Sequence, residues 1–411
     1  MVQLMLEGFG GDLRRQKKPA PPSPYGIECF HVNARISKNL EDIGGVRFAK
    51  LFLLLWHCLQ AVWCRFRHGA NILYYVPAPG KAAALYRDWL VMWLCRPFFD
   101  KVVFHWHATD MARWLETSTT LATRSVTFRL LGEADLSIVL SKHSRFNAEK
   151  LWPKTITVVP NGIPDPCPDF ALSVLPQRQA RLAARRELLA GCDPARLNLV
   201  APGSQPEIVR VLFLAHCTRD KGLFDAVRAV LLANEQLRAT RSPLSLRLVV
   251  AGGFPDVNER LEFEKLQAGP GGEAVQYVGF VQGAQKAQLM VEADVLCFPS
   301  HWETQPVSVI EALAYGMPLV ISRLPSVQEM IPPGYKGVAE LKEPVDIARA
   351  LTAALSFGGF SELREHFISH FSLDQFFTKL SAALHSVSAA SPKPRPRTLE
   401  FDNPELPKAT A

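Results

Sequence analysis

Residues 295–322 read VLCFPSHWETQPVSVIEALAYGMPLVIS, and their order of apolar runs and breakers decides the fold. Val295–Pro299 is a short unbroken apolar run, as expected of a strand covered on both faces. Pro306 suits the first turn of a helix, where its missing N–H costs nothing. Val307, Ile310 and Leu313–Ala314 form the buried stripe of a helix over Val307–Tyr315, and Gly316 and Pro318 stop it. Leu319–Ser322 is a second apolar strand. The unit is strand, helix, strand, the repeat of a parallel sheet. It places Glu303 in the loop at a strand's carboxyl end and Glu311 inside the following helix. Free N–H groups at Thr304, Gln305 and Val307 make this helix start an anion site. A diphosphate suits that site, and the two carboxylates suit sugar hydroxyls.

The same alternation extends in both directions. In the second half, strands are expected at Val209–Ala215, Leu246–Ala251 and Val275–Phe280. Helices are expected at Leu223–Leu237, Asn258–Leu266, Ala284–Ala293, Ser326–Ile331 and Pro344–Ser356. In the first half, Ile27–Ile36, Asn71–Val76, Val102–His107 and Leu136–Ser141 read as strands. Val46–Arg67, Lys81–Leu94, Ala112–Leu131 and His143–Leu151 read as helices. The fold class is α/β, with two doubly wound Rossmann-like halves facing a central cleft. The expected boundaries are 1–164 for an acceptor domain, 165–206 for a connector and 207–371 for a donor domain. A C-terminal helix at 372–388 should pack back on the first domain, and a disordered tail should occupy 389–411. The connector carries an Arg-rich helix (Arg178, Arg181, Arg185, Arg186), read as a solvated face. The first strand and Gly-rich turn of a doubly wound domain are not found before the helix-like Met1–Glu7. Either the domain lacks them, or Met1 is an internal methionine of a longer chain, which is the expectation here.

Length and composition fit this plan. The chain has 411 residues, 48% hydrophobic and 21% charged, the range of a globular enzyme with about two domains. A net charge of +7 and a pI near 9.0 favour acidic partners. No helix-turn-helix, finger or aromatic-basic sheet motif supports nucleic acid. The eight cysteines form no C-x-x-C pair and read as buried thiols of a reducing compartment. No secretory signal opens the sequence. Leu51–Cys64 is apolar but too short to span a bilayer, so a buried helix is expected, with an interfacial helix as the alternative.

With Glu303 and Glu311 separated by seven residues and followed by Ala312, Ala314 and Gly316, the segment resembles the paired-glutamate motif of retaining GT-B glycosyltransferases, family 4. Val158–Ile163 (VVPNGI), Asp135–Ser141, Lys221-Gly222, Leu248–Gly253 (LVVAGG) and Val278-Gly279-Phe280 follow the family's order along most of the chain. The resemblance implies that Glu303 holds the donor sugar and Glu311 the nucleotide ribose. It further implies that backbone amides from Gln305 through Pro306 to Val307 contact sugar and phosphate, that Lys221 neutralises the diphosphate, and that Gly279 and Phe280 border the base. No metal or other cofactor is implied. Between His105 and His107, which alternate on a strand end, the resemblance assigns His107 to the donor sugar and leaves His105 to the core. Two departures stand out. The family's Gly-Arg pair is replaced by Ala215-His216-Cys217-Thr218-Arg219, so Arg219 takes the phosphate-binding place nearer Lys221, and His216 is a rival for the cleft. The acceptor loop that should follow the first strand is also missing.

The function implied is transfer of a sugar, with retention, from a nucleotide-diphosphate sugar to a glycan or lipid-linked acceptor in cell-surface polysaccharide synthesis. The location implied is the cytoplasm, with room for peripheral contact at the inner face of the membrane. A nucleotide-sugar 2-epimerase and an inactive nucleotide-sugar-binding protein are the alternatives.

Overall fold

The computed structural model describes residues 2–15, 23–33, 48–107, 111–192 and 205–389. The first half contains α1 (Val2–Gly8), α2 (Phe48–His68), β1 (Ile72–Tyr75), α3 (Ala82–Cys95), β2 (Lys101–Trp106), α4 (Met111–Ser118), α5 (Leu121–Leu131), β3 (Leu136–Val139), α6 (Arg145–Glu149) and β4 (Ile156–Val158). Its sheet is parallel, in the order β1-β2-β3-β4. After α7 (Phe170–Leu189) come β5 (Ile208–Leu214), α8 (Leu223–Ala239), β6 (Ser245–Ala251), α9 (Val257–Gln267), β7 (Val275–Gly279), α10 (Gly283–Glu292) and β8 (Val295–Phe298). They are followed by α11 (Val307–Ala314), β9 (Leu319–Ser322), α12 (Pro325–Gln328), β10 (Val338–Ala339), α13 (Pro344–Ala354), α14 (Phe360–Phe371) and α15 (Leu373–Ala389). The second sheet is also parallel, in the order β10-β9-β8-β5-β6-β7. Strand order reverses between β5 and β8, and ligands of doubly wound sheets bind at such a switch point, beyond the carboxyl ends.

Both sheets are covered on both faces, which is why their strands read as continuous apolar runs. In the first, Phe104 and Trp106 pack under α2, α3 and α5. Val103, Leu136 and Ile138 point to the other side, against Phe376, Phe377 and Leu380 of α15 and Phe9 after α1. The last helix among the described residues thus completes the core of the first half.

The structure corrects four expectations. Ile27–Ile36 is not a strand over residues 27–33, where a single parallel bridge joins Cys29 to Asp12; residues 34–36 lie outside the described residues. Its apolar residues pack toward α15, and His385 hydrogen-bonds the Tyr25 carbonyl (2.7 Å), so the segment is held against this helix rather than in the sheet. The helix expected over Ala112–Leu131 is two. Thr119 turns its hydroxyl to the Leu115 carbonyl (2.5 Å), and Thr120 caps α5 by accepting from the Thr123 N–H. Such local bonds compete with a continuous helix.

The third correction concerns the arginines of α7, which are not a solvated face. Arg178 is buried and donates to the carbonyls of Tyr315, Ala293 and Met290 at 2.8–2.9 Å. Arg181 (2.9 Å) and Arg185 (2.5 Å) converge on buried Asp294. With Phe170, Val174 and Leu182 in the second core, α7 is part of that half rather than a free connector. Finally, α14 was not foreseen; it packs on α11 through Phe367 and Leu363. The tail from residue 390 and part of the connector, residues 193–204, lie outside the described residues.

Candidate functional site

At the switch point two loops are fastened together. One, residues 215–222, leaves β5; the other, residues 299–306, leaves β8. The Ser300 hydroxyl and the His301 N–H both donate to the Asp220 carbonyl (3.1 and 2.8 Å). His301 Nε2 hydrogen-bonds Asp225 Oδ2 (2.6 Å) in the first turn of α8. Gly222 makes this approach possible. It caps α8 with φ +77°, and a Cβ there would sit 2.1 Å from the Pro299 carbonyl oxygen. Only glycine accepts both conditions.

The result is that Lys221 Nζ donates to Glu303 Oε1. The Glu303 backbone carbonyl is held from the other side by the Ser326 hydroxyl of α12 (2.6 Å). Glu311, one turn into α11, accepts from Lys286 Nζ of α10 (2.6 Å). Both carboxylates are largely shielded from solvent. Pro306 is the cap residue of α11 and Val307 its first helical residue, so the first N–H groups of α11 have no partner within the helix. Two helix starts and two ammonium–carboxylate pairs therefore stand along these loops. Such an arrangement suits a ligand carrying phosphate at one end and hydroxyls at the other.

Two polar bridges cross from this site to the first half. Gln305 Oε1 accepts from the Asn161 N–H (2.6 Å), beyond β4. The carboxylate of Glu329, the residue that ends α12, accepts from the Lys142 and His143 N–H groups beyond β3 (both 2.7 Å). The carboxyl ends of the two sheets thus face each other. A recess of about 320 Å³ lies beside them, lined by Arg113, Trp114, Thr117 and Ser118 of α4 and by Trp302, next to Glu303.

The remaining candidates fall in different places. His107 stands at the carboxyl end of β2, its ring 4.3 Å from that of His105. Burial pushes His107 down to about 4 and His105 well below the usual range, so both are neutral at pH 7. His105 is fully buried and hydrogen-bonds the Tyr74 hydroxyl through Nδ1. Ala108, Thr109 and Asp110 lie outside the described residues. Gly279 takes φ +76° at the end of β7 and accepts from the Gly252 N–H (2.8 Å); Phe280 beside it is exposed. Arg219 is not brought to Lys221. Its guanidinium pairs with Glu262 of α9 (2.6 Å) and lies over the Phe224 ring. His216 is exposed. Sequence reasoning missed His301, Asp225, Lys286, Ser326 and Glu329, because each acts through a partner distant in the chain. Among the described residues, no group of three or more His, Cys, Asp or Glu side chains stands close enough to hold a metal ion.

This fold, two parallel-sheet domains meeting at their carboxyl ends, is that of GT-B glycosyltransferases. Residues 201–370 match the family described as Glycosyl transferases group 1, so the chain carries a domain of that family. It is 32% identical over 161 residues to an uncharacterized glycosyltransferase, MJ1607, of Methanocaldococcus jannaschii, covering 39% of each chain. It is 26% identical over 204 residues to the amylovoran biosynthesis glycosyltransferase AmsK of Erwinia amylovora, covering 45% of this chain and 47% of that one. The matched stretches thus span less than half of either relative. Anabaena HepE, solved in complex with UDP-glucose, superposes with a TM-score of 0.55 over 83% of this chain and 90% of its own, at 16% identity. That likeness speaks to the fold.

Proposed function

We propose that the chain transfers a sugar from a nucleotide-diphosphate sugar to a glycan or lipid-linked acceptor, with retention at the anomeric carbon and without a metal ion. The observation that carries this reading is the Lys221–Glu303 pair at the switch point of the second sheet. In the free protein the two charges neutralise each other. When donor binds, Lys221 turns to the diphosphate and Glu303 is released to the sugar hydroxyls. The bond between the anomeric carbon and the diphosphate oxygen breaks with its electron pair going to the diphosphate. Lys221 and the amides at the start of α11 stabilise that developing charge, the largest electrostatic task of the step. The acceptor oxygen joins the same face of the sugar, and its proton leaves with the diphosphate. Glu311, aligned by Lys286, takes the ribose hydroxyls. Gly279 and Phe280 border the base, and His107 faces the donor sugar from the first domain. UDP-glucose is what HepE holds, and AmsK is named for amylovoran biosynthesis, both of which support this reading.

The test is binding and turnover across UDP-, GDP-, ADP- and dTDP-sugars, with wild type beside Lys221→Ala and Glu303→Gln. Saturable binding of one donor, weakened by the first substitution and uncoupled from turnover by the second, is expected. Binding of that donor equally by all three proteins would remove this site from the proposal. Epimerised sugar formed without acceptor would replace transfer by epimerisation.

A further inference from the structure

Helix α2 is apolar on both sides. Its inner side, with Leu54 and Cys58, packs into the first core. Its outer side repeats Phe52, Trp56, Leu59, Trp63 and Phe66, which are 80, 57, 63, 50 and 72% exposed. Steps of four and three residues align all five on one stripe, about 21 Å long at the helical rise. The stripe continues sideways, because the Phe66 ring meets that of Phe98 (6.0 Å) just past α3, whose Trp93 is also exposed. A helix that is apolar all round normally lies inside a core, and isolated exposed apolar residues are ordinary but a continuous band is not.

The stretch of sequence that carries this band is one-sided in charge. Residues 48–107 contain seven Lys or Arg and two Asp or Glu. Both acids are already engaged, Asp88 by Arg87 (2.8 Å) and Asp100 by Arg65 (3.0 Å). Arg67, on the last turn of α2, is exposed and has no ion-pair partner among the described residues. Indoles at Trp56, Trp63 and Trp93 have the amphipathic character favoured at the headgroup boundary. Among the described residues no helix is long and apolar enough to cross a membrane.

We propose that the outer face of α2, extended by Trp93 and Phe98, docks on an anionic lipid bilayer, with the helix lying in the plane of the interface. The apolar stripe enters the acyl boundary, and the excess cations meet lipid headgroups. A second copy of the chain fits this face poorly, since a two-fold contact would set the same positive excess against itself. α2 leads into the amino end of β1, so the stripe runs from Phe66 there to Phe52 at the opposite end of the helix, toward the carboxyl ends of the strands. On the transferase reading given above, that geometry delivers a lipid-borne acceptor to the site; the docking itself does not depend on that reading.

The experiment is co-sedimentation of the full chain with vesicles of phosphatidylcholine alone, and of phosphatidylcholine with an equal amount of phosphatidylglycerol. Wild type is expected to bind the anionic vesicles at least tenfold more tightly than the neutral ones, with binding weakened by salt. Phe52→Ser combined with Trp63→Ser should reduce binding at least tenfold, and Arg67→Glu should reduce it several-fold on anionic vesicles only. Leu172→Ser, at an exposed position on α7, should leave it unchanged. Circular dichroism and a size-exclusion profile accompany each variant, and Arg67→Glu serves as the independent probe should the double substitution not fold. Absence of vesicle binding overturns the proposal, as does binding indifferent to both Arg67→Glu and the Phe52/Trp63 pair. A concentration-dependent dimer abolished by the Phe52/Trp63 pair, without vesicle binding, would assign the face to a second copy instead. Donor binding is measured separately, so a failed docking leaves the transferase reading standing and the reverse.

Discussion

Lys221 and Glu303 are ion-paired across the switch point of the second sheet, although 82 residues separate them. The pair exists because Gly222 lets the start of α8 press against Pro299, and because Ser326 holds the Glu303 backbone from behind. If Lys221 exchanges this carboxylate for a diphosphate, its removal deletes a charge-assisted bond to donor. Such bonds contribute about 1.5–3 kcal/mol, so Lys221→Ala should weaken donor affinity by about 10- to 100-fold. Titration calorimetry with the preferred donor checks this. Glu303→Gln keeps the shape and loses the charge. It should lower kcat far more than it raises KM, the pattern of an interaction made mainly in the transition state.

Gly222→Ala tests the geometry rather than the charge. The added methyl meets the Pro299 carbonyl at a distance no real contact shows, and the left-handed backbone is itself unfavourable for alanine. The loops should separate, costing about 1–3 kcal/mol in stability. Donor affinity should fall by as much as in Lys221→Ala. A variant that melts earlier yet binds donor normally would show that the loop contact serves folding alone.

Arg178 yields a prediction on stability alone. Burial pulls its guanidinium down to about 9, with the nearby Arg181 charge acting the same way, yet it remains charged at pH 7 and satisfies three buried carbonyls. Arg178→Ala leaves those carbonyls unpaired and opens a gap between α7 and the second sheet. Losing buried, charge-assisted bonds of this kind costs about 3–5 kcal/mol. Arg186→Ala, on the same helix, should cost less than about 0.5 kcal/mol. Chemical denaturation of the two variants separates a buried clamp from a solvated face.

The contrast within α7 shows where sequence reading stops. Alternation of apolar runs and breakers located most strands of both sheets, because strands covered on both faces must be apolar throughout. The order in which those strands pair cannot be read from periodicity. The Lys221–Glu303 contact, the His301–Asp225 link and the Glu329 bridge to Lys142 and His143 all depend on that order. Arginines on a helix look the same in sequence whether water or backbone carbonyls receive them. Ile27–Ile36 has strand-like residues, yet Ile27 and Cys29 pack toward α15 instead, and Thr119-Thr120 broke a helix through side-chain bonds that propensity alone does not weigh. Glu303 and Glu311 could be picked out because their spacing resembles a known motif, and Lys221 because the same resemblance implies it. Arg219 had only proximity in sequence to recommend it, and its side chain turns to Glu262.

His107 makes stability depend on pH in a definite direction. Its ordinary value is 6.5, and burial lowers it to about 4 in the folded chain, with His105 shifted the same way. Between those values the unfolded chain holds a proton that the folded chain refuses. The neutral imidazole therefore favours folding fully above about pH 6.5, and that contribution is lost as pH falls toward 4. For His107 alone the loss is on the order of 3 kcal/mol. His107→Gln should flatten the fall of Tm between pH 6.5 and 4 while leaving Tm near pH 7.5 within a few degrees. If His107 also faces the donor sugar, the same variant should lose turnover at pH 7.5, where its stability is little changed. Calorimetry across this range, paired with initial rates at pH 7.5, separates the two roles. A flattened acid limb with full activity would make His107 a buried structural imidazole, whereas lost activity with an unchanged acid limb would show that its burial in the free chain is looser than its packing beside His105 implies.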